Sequence, residues 1–183
     1  PDTTNSIFDI ASLTKVIATT SAIMKLYEAG KIDLDDKVVK YIPEFTGDDS
    51  LHTKLKSEIT IKDLLAHTSG LPPDINKVSW ETVYRTPLKD YPNRTEIYSD
   101  INFLLLGKIV EKISGMSLAH YTAENFFRPL SMNNTFFNPE KKYFPLIIPT
   151  IFDFKTDHYL IGIVQDPMAR ILGGDTGNAG LFS

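Results

Sequence analysis

Covalent chemistry in this chain would centre on Ser12 and Lys15, the two ends of the run Ser12-Leu13-Thr14-Lys15. A separation of three residues puts both side chains on one face of a helix, about one turn apart. A serine hydroxyl is a weak nucleophile until a nearby base takes its proton. A lysine desolvated in a pocket has a lowered pKa and can be that base. The start of a helix also favours the negative charge that develops during acyl transfer. The spacing alone is a weak signal, because on the order of one chance match is expected in a chain of this size. Taken alone it favours a capping serine beside a solvated lysine.

Tyr98-Ser99-Asp100 forms a second polar group, just ahead of a long apolar segment. A loop-borne tyrosine near a cationic lysine can act as general acid or base, since the positive charge stabilises its phenolate. Alone, this group reads as a packed aromatic followed by a helix cap. The remaining titratable residues point to no metal or cofactor. His52, His67, His120 and His158 lack metal-ligand spacing, and His67 is expected to order its loop rather than bind zinc. Asp33, Asp35 and Asp36 lack the glycine and terminal glutamate of an EF-hand, so they read as a solvated turn. With no cysteine, disulfides and thiolate metal sites are excluded. A formal charge of −4 gives no cationic field for nucleic acid. No apolar run approaches the ~20 residues that span a bilayer.

The elements that must position these residues are mainly helices. Ser12 to Ala29 carries apolar residues on more than one face, which predicts a helix buried centrally, with Ser12 at its cap or first turn and Gly30 ending it. Val38 to Ile42 predicts a short helix stopped by Pro43, and the polar stretch from Thr46 to Glu58 predicts a loop. Thr60 and Asp63 form a capping box ahead of Leu64 and Leu65. A shorter helix holds Trp80, Val83 and Tyr84. Asp100 to Ser114 has a clear 3.6-residue period closed by Gly115, and Ser117 caps a further helix from Leu118 to Phe127. Thr135-Phe136-Phe137 and Tyr159 to Val164 are strand candidates, and the last seven residues read as a loop arriving at a helix cap. Phe126, Phe127, Phe136 and Phe137 are expected to pack in the core.

Five collinear stretches carry a family resemblance. Phe8-Asp9-Ile10-Ala11-Ser12-Leu13-Thr14-Lys15 resembles the nucleophile segment of the class C β-lactamase-like family, which includes penicillin-binding proteins, D-peptidases and esterases. Leu65-Ala66-His67-Thr68-Ser69-Gly70-Leu71-Pro72, the segment from Tyr98 to Gly107, and Phe127 to Thr135 are similar to later segments of that family. Gly177-Asn178-Ala179-Gly180-Leu181-Phe182-Ser183 resembles its Gly-x-Ala-Gly-Leu-Phe-Ser turn.

The resemblance implies an α+β fold of the β-lactamase/transpeptidase type, with residues 1–183 forming part of a single domain truncated at both ends. This part would be mainly helical, with most of the antiparallel sheet missing. It implies that Ser12 is the nucleophile, that Lys15 and Tyr98 share the proton work, and that the Ser12 N–H is half of an oxyanion hole. The reaction would be acyl transfer on a β-lactam, a cell-wall-type peptide or an ester, without cofactor or metal. A non-catalytic penicillin-binding or sensor domain is the alternative. The whole protein would work outside the cytoplasm, and its partners would be acyl substrates rather than nucleic acid. Self-association is expected through the face left by the missing sheet.

Two departures from the family pattern stand out. The second motif of the β-lactamases proper is Tyr-x-Asn, whereas this chain has Asp100. An asparagine amide can donate to a substrate carbonyl, and an ionised aspartate only accepts. Asp100 can instead hold Lys15 as a charge-assisted partner, a pairing that raises an ammonium's pKa. The third motif, Lys-Thr-Gly or His-x-Gly, is missing from the chain.

Overall fold

The computed structural model describes residues 4–154 and 156–183. Helices dominate it. The helix that follows Ser12, called the nucleophile helix after the role the sequence leads one to expect, begins at Leu13, runs as a π-helix over Lys15–Thr20 and continues as α1, Ser21–Glu28. A 3₁₀ turn, Val38–Lys40, leads to α2, Ser50–Ser57, and α3, Ile61–Leu65. Then follow α4, Trp80–Arg85, and α5, Asp100–Ser114. After α6, Leu118–Thr122, the chain continues as a π-helix over Ala123–Phe127.

Strand is scarce. β1, Phe136–Phe137, pairs antiparallel with β4, Leu181–Phe182, and β2, Phe152–Asp153, pairs antiparallel with β3, His158–Tyr159. A 3₁₀ segment, Lys141–Leu146, and a short helix, α7, Pro167–Ile171, complete the elements.

Local chemistry explains most boundaries. Gly30 adopts φ +64°, and its N–H reaches Tyr27 O while the Lys31 N–H reaches Leu26 O, so the last carbonyls of α1 are satisfied. Thr60 and Asp63 cap α3 reciprocally, and Gly115 ends α5 in the left-handed conformation. The core lies between the nucleophile helix, α3 and α5, where Ala18, Ala22, Ile23, Leu26, Leu64 and Leu104 are buried. Phe127 and Phe137 join this core, while Phe136 packs its ring on Tyr143 with centroids 4.4 Å apart.

The structure corrects four sequence expectations. The nucleophile helix is buried on one side only, because Leu13, Val16, Met24 and Tyr27 form an apolar stripe that is about half exposed. The polar stretch from Thr46 to Glu58 contains α2, whose first turn is capped by Asp49 accepting from the His52 N–H at 2.8 Å. Lys56 in α2 is fully buried and donates to the Thr46 and Tyr84 carbonyls at 2.8 and 2.9 Å, with Nζ over the Phe45 ring. In the third case, only Tyr159 of the Tyr159–Val164 candidate is in a strand. Finally, the last seven residues form a turn as far as Gly180 and then lead into a strand, β4, rather than a helix cap. β4 pairs with β1 on one side, and on the other the Phe8 and Ser183 backbones exchange hydrogen bonds of 2.8 and 3.0 Å.

Candidate active site

Ser12 sits in a turn held from two sides. Asp9 lies in extended backbone bridged to Phe182, and the Ile10 N–H reaches Leu181 O at 3.0 Å. Ala11 then takes φ +46°, a left-handed conformation that disfavours a residue with a Cβ. The Asp9 carboxylate stabilises it: one oxygen accepts from the Ala11 N–H at 2.9 Å, and the other from the Gln165 N–H at 2.8 Å. Three tight turns follow, with the N–H groups of Leu13, Thr14 and Lys15 each bonded three residues back at 3.0 Å. Ser12 does not cap the helix with its side chain. Its Oγ accepts from Lys15 Nζ at 3.0 Å.

Lys15 is buried and surrounded by acceptors. Besides Ser12, Nζ donates to the Asn178 carbonyl at 3.0 Å and meets Asp100 Oδ1 at 2.6 Å, an ion pair outside hydrogen-bond geometry. It also lies 5.0 Å from the Tyr98 ring centroid and 5.8 Å from that of Phe103. Two of these oxygens accept hydrogen bonds from the lysine, and Asp100 Oδ1 adds a charge contact while remaining without a hydrogen bond of its own among the described residues. The nucleophile helix thus brings Ser12 to Lys15, the start of α5 adds Asp100, and the Gly177–Gly180 turn adds a carbonyl.

That turn lies against α5 because two glycines allow it. A Cβ on Gly177 would stand 2.0 Å from the Phe103 carbonyl oxygen, and one on Gly107 would stand 2.9 Å from Gly177 N. Thr19 Oγ1 donates to Gly177 O at 2.8 Å, and the Leu181 N–H reaches Thr14 Oγ1 at 3.1 Å, so the nucleophile helix grips both ends. The Asn178 side chain donates to Asp166 Oδ1 at 3.1 Å and accepts from Thr176 Oγ1 at 2.9 Å.

The loop from His67 to Pro73 is the template for Tyr98-Ser99-Asp100. The Ile97 N–H reaches His67 O at 2.8 Å, Ser99 Oγ donates to Pro72 O at 2.6 Å, and the Asp100 N–H reaches Pro73 O at 2.9 Å. The Ser99 N–H donates to His67 Nδ1 at 3.1 Å. The Tyr98 and His67 rings lie 4.6 Å apart, and about half of Tyr98 is open to solvent. Asp100 also lines a groove of ≈ 450 Å³ whose walls include Asp74, Ile75, Val78, Asp166, Met168 and Ile171.

Ser12, Lys15, Tyr98 and Asp100 therefore converge from two segments far apart in the chain. Sequence reasoning missed Asp9, the Asn178 carbonyl, and the pair Ser69 and Asn102. Both members of that pair are fully buried, with Ser69 Oγ donating to Asn102 Oδ1 at 2.6 Å. One signal was available for them: an asparagine inside the apolar run of α5 must find a partner. A carbonyl acceptor such as that of Asn178 leaves no mark in side-chain types. Among the described residues, no group of three or more histidine, aspartate or glutamate side chains is arranged to hold a metal ion.

Comparisons with known proteins bear on the family and the fold. The chain is 37% identical over 210 aligned positions to a protein of Escherichia coli (strain K12) with the provisional name D-alanyl-D-alanine carboxypeptidase, covering 99% of this chain and 48% of that protein. It thus spans about half the length of the curated relatives it matches. A β-lactamase/D-alanine carboxypeptidase from Yersinia pestis superposes with TM-score 0.77 at 22% identity, covering all of this chain and 51% of that one. A class C β-lactamase from Rhodobacter sphaeroides superposes with TM-score 0.75 at 24% identity, covering 100% and 49%. The fold is accordingly the β-lactamase/transpeptidase type, present as a mainly helical portion with small sheets. The Beta-lactamase family model matches residues 1–145, most of the chain, and the chain belongs to that family.

Proposed function

We propose that the protein performs acyl transfer through a covalent Ser12 intermediate, on a cell-wall-type peptide, an ester or a β-lactam. The observation that carries this reading is the contact of Ser12 Oγ with a buried lysine Nζ at 3.0 Å, in a pocket completed by Tyr98 and Asp100. Ser12 attacks the carbonyl and its proton passes to the Lys15/Tyr98 pair, which later returns it to the leaving group. Among the described residues no hydrogen bond engages the Ser12 N–H, which suits it to receive the developing oxyanion. The name of the E. coli relative favours a peptide ending in D-alanine as substrate. Chemistry on such a substrate belongs outside the cytoplasm.

Asp100 favours peptides and esters over β-lactams. Both the ion pair and the acceptor-only carboxylate remove the amide donor that an asparagine would offer a lactam-bound carbonyl. The same feature supports a second reading, a penicillin-binding sensor that acylates and does not turn over. Intact-protein mass after incubation with a fluorophosphonate, a penicillin and an activated ester tests both, with Ser12→Ala as control. A penicillin or ester adduct on Ser12 that decays supports the hydrolase, one that persists supports the sensor, and the fluorophosphonate reports only whether Ser12 is reactive. No adduct with any reagent refutes an activated Ser12.

A further inference from the structure

We propose that His67 is a positioning residue that fixes Tyr98 and Asp100 against Lys15, and that it does so only as a neutral imidazole with its proton on Nε2. This role presupposes the acyl-transfer chemistry proposed above, which gives His67 no task.

The residues on either side of Tyr98 both hang on His67. Its carbonyl accepts from the Ile97 N–H at 2.8 Å, and its Nδ1 accepts from the Ser99 N–H at 3.1 Å. Its ring is also the wall against which the half-exposed Tyr98 ring rests, 4.6 Å away, with Phe103 at 5.2 Å on another side. Tyr98 therefore takes its place from His67 through backbone and side chain together. Asp100 follows in the same segment and reaches Lys15.

The tautomer follows from the donors. A backbone N–H can only donate, so Nδ1 must accept, and a neutral ring then carries its proton on Nε2. Asn102 Nδ2 lies 3.1 Å from the same Nδ1. Asn102 Oδ1 accepts from the buried Ser69 hydroxyl at 2.6 Å, an arrangement that turns Nδ2 towards the ring. A proton added to Nδ1 would face two donors with no acceptor.

The charges around the ring are Lys15 on the nucleophile helix, Asp100 at the start of α5, and Glu96 in the preceding loop, with the Tyr98 phenol beside them. Burial, then the Lys15 charge, lowers the His67 pKa below 6.5, against the opposing pull of Glu96 and Asp100. Between that lowered value and 6.5 the unfolded chain binds more protons than the folded one. Stability from this group is thus full above pH 6.5 and falls as pH drops towards the folded value. The held geometry of Tyr98 persists through that window and is lost only as pH reaches the lowered value, where the folded ring itself takes up a proton.

The test compares His67→Asn with His67→Ala. Asparagine tolerates the φ of +58° at this position and offers an amide oxygen close to where Nδ1 lies. The rate of Ser12 labelling by a fluorophosphonate would be followed from pH 5 to 8, with Ser12→Ala as control and melting curves for each variant. H67A should label about 10- to 100-fold more slowly. H67N should recover most of that rate and lose the acid limb that the imidazole gives the unsubstituted protein. Histidine ¹⁵N shifts of the unsubstituted chain supply a readout that survives misfolding of a variant: Nδ1 should be an acceptor at pH 7, and the Ser99 amide should titrate with the ring. H67A labelling at the original rate, an unchanged acid limb in H67N, or a proton on Nδ1 at pH 7 would each overturn the role. Labelling at Ser12 that is indifferent to His67 removes only this role, whereas no labelling of the unsubstituted protein removes the acyl-transfer reading and the role with it.

Discussion

Asp100→Asn should move stability and β-lactam reactivity in opposite directions. Asp100 meets Lys15 at 2.6 Å, with the lysine side chain 4% exposed and the carboxylate 22% exposed. Asparagine keeps an oxygen in the same place and removes the charge. The amide dipole replaces only part of the carboxylate's attraction for the ammonium, so the exchange should cost about 1–2 kcal/mol. That is well short of the roughly 3–5 kcal/mol expected when one partner of a buried ion pair is deleted outright. For a chain of this size it corresponds to a fall in melting temperature of about 2–8 °C. The new amide can rotate a donor towards a bound carbonyl, so acylation by penicillin should accelerate while the protein softens. Circular-dichroism melting and an intact-mass time course with penicillin measure the two effects. A variant that melts with or above the unsubstituted protein refutes the Coulombic part of the reasoning. Unchanged or slower penicillin acylation refutes the claim that the acceptor-only carboxylate limits lactam chemistry.

Other outcomes follow from particular contacts. Asp36 is held to a pKa of about 2 by Lys40 and Tyr41, so its stabilisation is present above about pH 4 and is lost as pH falls towards 2. Because Lys40 is largely exposed, Asp36→Asn should cost only about 1 kcal/mol at neutral pH, and its melting curve should converge with the unsubstituted one in acid. Gly177→Ala places a methyl group 2.0 Å from the Phe103 carbonyl oxygen, which must push the turn off α5 and withdraw the Asn178 carbonyl from Lys15. It should cost about 1–3 kcal/mol and slow Ser12 labelling, and a variant that melts and labels normally would show the crossing to be loose. The exposed stripe of Leu13, Val16, Met24 and Tyr27 should drive self-association of this 183-residue chain. A monomer by light scattering that binds no hydrophobic dye would exclude it.

How much of this was legible in the sequence depends on where each determinant resides. α5 was readable to the residue because its period, its glycine stop and the Ser-Asp start are all local. The capping box at Thr60 was readable for the same reason. α2 was not, since its stretch carries few apolar residues and its hold on the fold is one buried lysine bonded to two distant carbonyls. β4 was missed because a two-residue strand is defined by its neighbours, here β1 on one side and the Phe8–Ile10 segment on the other. The one-sided burial of the nucleophile helix was equally invisible. Apolar residues all round a helix state how much surface must be covered, not which part of the chain covers it.

The site divides along the same line. Ser12 and Lys15 are one helical turn apart, so their meeting is written in the spacing, and Tyr98 with Asp100 could be added by resemblance. What makes these four residues a site is supplied by groups with no side-chain signature: the left-handed Ala11, the Asn178 carbonyl, and the backbone donors of Ile97 and Ser99. His67 shows why such a residue is misread. In sequence it is a histidine without a metal partner, and the natural inference is that it orders its own loop. In space its ring and carbonyl order a different loop, about thirty positions on. Spacing identifies groups that react along one element, but groups that position others act across elements, and only the folded backbone brings them into contact.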